Sequence, residues 1–464
     1  MMNLQQLATL VDGELVGNSC SFNAISTDTR QIKPGDLFVA LQGDHYDANN
    51  FASNAADKGA VAALLSADVA LNIPYVKVPD TLQALSILAT EKRDALAIPL
   101  VAITGSNGKT TVKEMLASIL AQSSNVLATS GNLNNHIGVP LTLLRLTPKH
   151  DVAVVEMGAS KQGDIAHLCR IAKPTIAVLN NIAPAHLEGF GDLDGVAKAK
   201  AEIISGLSAE GTAVLNKSEP WFDQWVGLLA GRKQLSFGVS NSADVWANPE
   251  LITTGLHKAA FKTCFVLNYQ QKSIDIQLNL IGRHNVMNAL AASAAAIALG
   301  CSLTQIQHGL ANLQDVNGRL QVLPGLSGSL VVNDCYNANP SSFEAAMDCL
   351  NEIDQPLWVV LGDFAELGPA SEAIHQRIGQ QLAASNAQRF FAVGEKMHGA
   401  VNAFNKHVST STRPAKHFSN KQKMTEVLQQ ELEPGVLVLV KGSRSQGLES
   451  IVNKIISKGE SVCC

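Results

Sequence analysis

Charge is scarce in this 464-residue chain: Asp, Glu, Lys and Arg make up 16% of it, against 46% apolar residues. Nor are the charges segregated. The formal net charge is -5 and no basic cluster occurs, so the electrostatic footprint needed for nucleic acid or a polybasic membrane anchor is missing. Small-molecule partners are the expectation that remains, with no nucleic acid and no stable membrane association. No apolar run reaches membrane-spanning length, and "MMNLQQLATLVDGEL" lacks a basic region followed by an apolar core. Neither a span nor a secretory signal is therefore expected, and the chain reads as cytoplasmic and monomeric. The eight cysteines show no metal-ligand spacing, which fits reduced thiols rather than a disulfide framework; the adjacent Cys463 and Cys464 have no reading. Repeats and low-complexity tracts are absent, and the apolar content excludes disorder.

What is present is an alternation of strands and helices too long for one core. Residues 1–82 hold short strands and turns, such as "KPGDLFVAL" with Pro34 and Gly35 before an apolar run, and read as a small α/β domain. Across 83–313, "PLVAITG", "DVAVVEMG", "TIAVLNNIA" and "GTAVLN" alternate with helical stretches. Continuous apolar strands separated by helices predict a parallel sheet covered on both faces. The alternation restarts across 314–464 with "SLVVND", "PLWVVLGD", "RFFAVG" and "GVLVLVKGS", a second doubly wound, Rossmann-like domain. The fold class is thus α/β with three domains.

The segment "TGSNGKTT" stands between an apolar strand and a helix. Gly105 and Gly108 let the backbone amides of Gly105, Ser106, Asn107 and Gly108 turn toward an anion, and the helix N-terminus beginning at Lys109, Thr110 and Thr111 adds its dipole. Lys109 supplies a point charge for the β- and γ-phosphates, and Thr110 can ligate Mg²⁺. A full phosphate-loop pattern would begin with glycine where Ile103 stands, and a glycine-rich turn with a surface lysine is the competing reading. A GTPase base reader, N-K-x-D, is also missing, since "NKSE" at 216–219 ends in glutamate.

Three further residues bear on the chemistry. Glu156 ends the strand "DVAVVE", where a carboxylate beside the loop can hold Mg²⁺ or be an ordinary strand-terminal acid. His186 follows the next apolar strand and either faces the same crevice or is a plain loop histidine. Lys200 falls on the apolar stripe of Leu193, Val196, Ile203, Ile204 and Leu207, whereas Lys198 does not. Desolvation there favours a neutral amine that can take up CO₂ as a carbamate; snorkelling to solvent is the alternative.

Together, "TGSNGKTTVKEM", "GNLNNHIGVPLTLL", "EMGASKQGDIAHL", "NNIAPAHLEGFG", "AKAKAEI", "GRHNVMNALAA", "NGRL", "YNANP", "GDFAELG" and "KGSRS" occur in one order over nearly the whole chain, and the chain resembles the Mur ligase family. The resemblance implies that ATP phosphorylates the terminal carboxylate of a UDP-N-acetylmuramoyl-tripeptide and that the amine of D-alanyl-D-alanine attacks the acyl phosphate. It implies ATP in the central domain, the UDP-sugar in the first and the dipeptide in the last. Two Mg²⁺ ions are expected, one on Thr110 and Glu156, the other positioned by His186 and carbamylated Lys200. Lys109, Lys200, His186 and Arg319 would be the catalytic set. Competing readings are another amide ligase of the superfamily, such as folylpolyglutamate synthetase, or a P-loop binding module without ligase activity.

Carried over residue by residue, Asn285 and Asn288 would contact adenine or support its pocket, with helix capping an equal account of Asn285. Arg319 of "NGRL" would clamp the γ-phosphate, or form a surface ion pair, and Asp334 would bind ribose. Asn333 and Cys335 flank Asp334 where relatives often carry an acid and a serine. Tyr336 and Asn337 would join nucleotide to the last domain, unless Tyr336 is packing in a core. Thr27, Asp28, Thr29 and Arg30 of "STDTR" would meet the UDP-sugar, although an Asx turn explains Asp28 as well. Asn134 and Asn135 would lie near the sugar peptide and phosphates, or only stabilise their own loop. Lys441, Ser443 and Arg444 would line the dipeptide or acyl-phosphate end of the cleft.

Overall fold

The computed structural model describes residues 2–43, 46–184, 187–257, 260–408 and 415–457. Three α/β units follow one another along them, as the alternation predicts. In the first, a sheet runs in the order Glu14–Val16, Tyr75–Lys77, Ala62–Leu65, Leu37–Val39, Ile25–Ser26, with only the first pair antiparallel. Leu4, Leu7, Leu37, Val39, Leu64 and Val76 fill its core. The helix Thr81–Ala95, capped by Asp80 accepting from the amides of Leu82 and Gln83, straddles the first expected boundary. It gives Leu85 and Leu88 to this core and Ala89 to the next.

The central sheet has ten strands. From Val126–Ala128 it proceeds through Val152–Glu156, Leu100–Thr104, Ile176–Leu179, Thr212–Asn216 and Lys233–Gly238 to Val245–Trp246, all parallel. Each apolar stretch quoted above is one of these strands, and their successive side chains serve opposite faces. Val101 and Ile103 pack with Val112, Met115 and Ile119 on one face, while Leu100 and Ala102 pack with Leu143, Ile165 and Ile203 on the other. Not read from the sequence is an antiparallel extension, Thr253–His257, Ala260–Tyr269 and Lys272–Leu278, whose half-exposed strands alternate rather than run apolar. Helix Arg283–Ala298 is buried nearly all round by its alanines, as a core helix must be.

Leu100–Thr104 lies between Val152–Glu156 and Ile176–Leu179. The chain therefore adds strands first to one side of it and then to the other. At such a switch the connections leave in opposite directions and a crevice opens at the carboxyl ends. The last unit repeats the plan with Gln321–Pro324, Leu330–Asp334, Leu437–Lys441, Leu357–Gly362, Ala387–Val393 and Ala415–Phe418, parallel except for the first pair. Among the described residues no helix is long and apolar enough to cross a membrane.

One close approach locks the central helices. A Cβ built on Gly309, within the helix Leu303–Ala311, would sit 2.3 Å from the Cα of Ile119, and Ser118 Oγ donates to the Gly309 carbonyl at 2.6 Å. Gly309→Ala should therefore destabilise by about 1–3 kcal/mol, although Gly→Ala in an open helix position is favourable. Denaturant unfolding of the two proteins checks this; an unchanged or raised midpoint would remove the steric account.

Candidate active site

Strand Leu100–Thr104 delivers residues 105–108 into the crevice, and helix Lys109–Leu120 starts at its far side. Gly108 precedes the helix with φ +79°, and a Cβ there would lie 2.2 Å from Asn288 Oδ1, so both backbone sign and space require glycine. The loop is held from outside. Ser106 N–H donates to the Asn181 carbonyl at 2.9 Å and Asn107 N–H to Asn181 Oδ1 at 2.8 Å. The Asn107 carbonyl accepts from Asn180 Nδ2 and Asn181 Nδ2, each at 3.0 Å, and Ser106 Oγ donates to the Ala183 carbonyl at 2.9 Å. Asn180 and Asn181 stand in the quoted "NNIAPAH" but were not among the expected site residues. Their signal was position: polar residues at the carboxyl end of a buried strand.

Lys109 is half-buried and donates to the carbonyls of Gly105 at 2.8 Å and Ser106 at 3.3 Å. Burial, reinforced by the nearby Arg319, holds its ammonium below the ordinary lysine range, with Glu156 opposing. Thr110 Oγ1 donates to Glu156 Oε2 at 2.9 Å, and Asn134 Nδ2 to Glu156 Oε1 at 2.7 Å. Asn134 is thus brought to the carboxylate, while Asn135 lines the same cavity and its Oδ1 also accepts from the amides of Ile137 and Gly138 in its own loop. A hydroxyl beside one carboxylate is a hard oxygen set that suits Mg²⁺, which keeps waters and takes phosphate oxygens. Among the described residues no group of three or more His, Cys, Asp or Glu could form an all-protein cage.

Lys200 is 2% exposed on helix Leu193–Ser205 and lines the same cavity, so it does not snorkel. Burial, then the charge of Lys109, pushes it down to about 7, and its Nζ lies 5.9 Å from the Phe190 ring centre. His186 lies outside the described residues. The cavity holds about 1050 Å³ and runs from Leu82 and Asn132, past the loop, Glu156 and Lys200, to Tyr336, Ser443 and Arg444.

Arg319 lines this cavity and a smaller one of about 290 Å³. No surface ion pair holds it among the described residues: its guanidinium stacks on Tyr336, 4.3 Å from the ring centre, and its Nε is buried without a partner. Arg444 faces the same ring at 5.7 Å. Tyr336 is half-buried and within reach of both guanidiniums rather than packed in a core. Thr111, Asn285, Asn288 and Asp334 line the smaller cavity. Asn285 does not cap its helix, which begins after Gly282; its Nδ2 donates back to the Ile281 carbonyl at 2.8 Å. Asn288 joins Asn285 to Asn180 at 3.1 and 2.9 Å. His284, also in the quoted "GRHNVMNALAA", joins this wall, with burial driving its imidazole down to about 4.

Lys441 parts from Ser443 and Arg444. It is buried against Asp334, Nζ to Oδ2 2.5 Å, with the Asn337 carbonyl at 3.3 Å, and lines the smaller cavity. Ser443 Oγ accepts from the Ala365 amide at 2.7 Å, and the Arg444 amide donates to Asn337 Oδ1 at 3.4 Å. Cys335 Sγ donates to Asn333 Oδ1 at 2.7 Å. Thr27, Asp28, Thr29 and Arg30 line neither cavity. Asp28 closes an Asx turn on the Arg30 amide at 2.9 Å and pairs with its exposed guanidinium, whose hydrogen bond draws the carboxyl down to about 2.

Known proteins share this arrangement. Residues 21–93 match the Mur ligase family catalytic domain, 103–296 the Mur ligase middle domain, and 318–444 the Mur ligase glutamate ligase domain. The UDP-N-acetylmuramoyl-tripeptide–D-alanyl-D-alanine ligase of Escherichia coli (strain K12) is 42% identical over 460 residues, 99% of either chain. The chain belongs to the Mur ligase family. A crystal structure of MurF from Acinetobacter baumannii is 33% identical, covers 97% of both chains and superposes with a TM-score of 0.86. MurF from Thermotoga maritima in complex with ADP is 27% identical over 93% of this chain and 96% of that one, TM-score 0.80. The three-domain Mur ligase architecture with a parallel central sheet is thereby established.

The contact between Asn134 and Glu156 predicts a measurable role. Asn134→Ala should raise the Mg²⁺ concentration for half-maximal activity about 10- to 100-fold, as loss of an outer partner of a metal ligand does, while sparing KM for the sugar peptide at saturating Mg²⁺. The reverse pattern would place Asn134 on the substrate instead.

Proposed function

We propose that this Mur ligase joins D-alanyl-D-alanine to UDP-N-acetylmuramoyl-tripeptide at the expense of ATP. The observation that carries the reading is the single cavity in which the phosphate loop, the Thr110–Glu156 pair and Lys200 face Tyr336, Ser443 and Arg444 of the last unit. A carboxylate is a poor electrophile with a poor leaving group, and phosphorylation remedies both. The terminal carboxylate oxygen of the tripeptide attacks the γ-phosphorus and ADP departs. The dipeptide amine then attacks the acyl carbon, loses a proton, and the tetrahedral intermediate expels phosphate as the amide forms.

In this scheme the Ser106 and Asn107 amides, expected to face the anion, are instead spent on Asn181, so the amides of Lys109, Thr110 and Thr111 at the helix start and the Lys109 ammonium hold the β- and γ-phosphates, and Arg319, whose buried Nε lacks a partner, takes up charge on the transferred group. Thr110 and Glu156 would hold one Mg²⁺, and His186 with Lys200 as its carbamate a second. The ions would screen the repulsion between γ-phosphate and carboxylate. A lysine lowered to about 7 carries a large neutral fraction near pH 7, as carbamate formation requires. Asn285, Asn288, Asp334 and Lys441 would frame the adenosine side, since they share the smaller cavity with Thr111. We assign the UDP-sugar to 1–82, with Thr27–Arg30 as contacts, ATP to 83–313 and the dipeptide to 314–464. We read the enzyme as a cytoplasmic monomer.

Purified protein with Mg²⁺, ATP and UDP-N-acetylmuramoyl-tripeptide should release phosphate in proportion to added D-alanyl-D-alanine, with glutamate or D-alanine alone inert. Phosphate release indifferent to the dipeptide would end the assignment. Lys200→Ala should be nearly inactive and partly restored by short carboxylic acids; full activity without them excludes the carbamate.

A further inference from the structure

The string "YNANP" is accounted for only in part by Tyr336 and Asn337. Asn339 caps helix Pro340–Asn351, accepting from the Ser342 amide at 2.8 Å, with Pro340 in the first turn where its missing N–H costs nothing. The same side chain reaches out of its own unit. Asn339 Nδ2 donates to Asn107 Oδ1 at 2.8 Å, Asn107 Nδ2 donates to Ser341 Oγ at 2.9 Å, and Ser341 Oγ donates to Asn339 Oδ1 at 3.0 Å. Three half-buried side chains thus close a ring of hydrogen bonds between the phosphate loop and the cap of a helix in the last unit.

The other end of this helix is attached differently. Phe261 and Ile281 of the central unit are buried in one cluster with Met347 and Leu350, and a Cβ on Gly282 would lie 2.2 Å from Cys349 Sγ. Apolar packing of this kind is lost only with large exposure to water. A ring of neutral hydrogen bonds beside solvent has a modest net strength and can exchange with water. The helix is therefore fastened at one end and releasable at the end touching the phosphate loop.

We infer that the Asn107–Asn339–Ser341 ring is the docking contact that sets the last unit over the phosphate loop, and that Asn339 is a positioning residue for ligation. The inference rests on the ligase reading above. Asn107 has its backbone fixed by Asn180 and Asn181, so its carboxamide presents a fixed donor and acceptor. Docking there holds Tyr336 and Arg444 on the cavity that Lys109 also lines. Loss of the ring lowers the docked fraction, and apparent affinity for whatever the docked cleft binds falls by that fraction.

Asn339→Ser keeps a good N-cap but is too short to reach Asn107. In the full chain it should leave ADP affinity, by calorimetry, within about 2-fold of the parent, while kcat/KM for D-alanyl-D-alanine falls about 3- to 30-fold. Small-angle scattering with ADP should show a more open particle than the parent. Adding Asn339→Ser to Asn107→Ala should cost nothing further, since the contact is already gone. Ser341→Ala, which leaves the cap intact, should give a smaller loss in the same direction. Parent values of kcat/KM and of particle size in both single variants, or additive losses in the pair, would overturn the docking role. If phosphate release by the parent ignores the dipeptide, the ligase reading fails instead, and docking is decided by scattering alone.

Discussion

Positive charge gathered in a desolvated cavity is the constraint around which this molecule is arranged. Lys109, Lys200 and Arg319 line one cavity, and Glu156, a carboxylate on the same cavity, is already engaged by Thr110 and Asn134. Arg319 bears on Lys109, and Lys109 on Lys200, so each cation makes the next less favourable. Burying like charges without partners is costly. An anion entering the cavity would relieve that cost at Lys109 and Arg319.

Holding such a cluster needs a rigid frame, and the parallel sheet supplies it. Strand Leu100–Thr104 is covered on both faces, and its loop is braced by Asn180 and Asn181 from the neighbouring strand end. Amide side chains suit this task because each offers donor and acceptor without adding charge to a site already crowded with it. The same economy recurs at Asn288, Asn285 and the Asn107–Asn339 contact. Neutral amides thus do much of the positioning.

In the architecture shared with MurF structures, residues of the central and last units line one cavity. The buried Asp334–Lys441 pair ties two adjacent strands of the last unit at their carboxyl ends, where the smaller cavity opens. Fixing a charge pair there, rather than leaving Lys441 in the larger cavity, limits the positive charge that the larger cavity must accommodate. Arg319 and Arg444 each lie over the Tyr336 ring, whose electron-rich face attracts a cation.

Much of this was legible in the amino-acid order alone. Period and composition set the strands, because a strand covered on both faces must be apolar throughout, and they set the phosphate loop, because its glycines and lysine are consecutive. Lys200 stood out since a lysine on an apolar stripe is anomalous wherever the helix goes. Partnerships were not legible. That Asn134 would reach Glu156 and that Lys441 would leave Ser443 for Asp334 depend on residues distant in the chain. The antiparallel strands 253–278 escaped for a related reason, since half-exposed strands carry a weaker apolar signal than buried ones. Local order determined which segments form and which residues carry charge; packing decided which side chains meet, because a hydrogen bond or ion pair is chosen by distances that only the assembled sheets define.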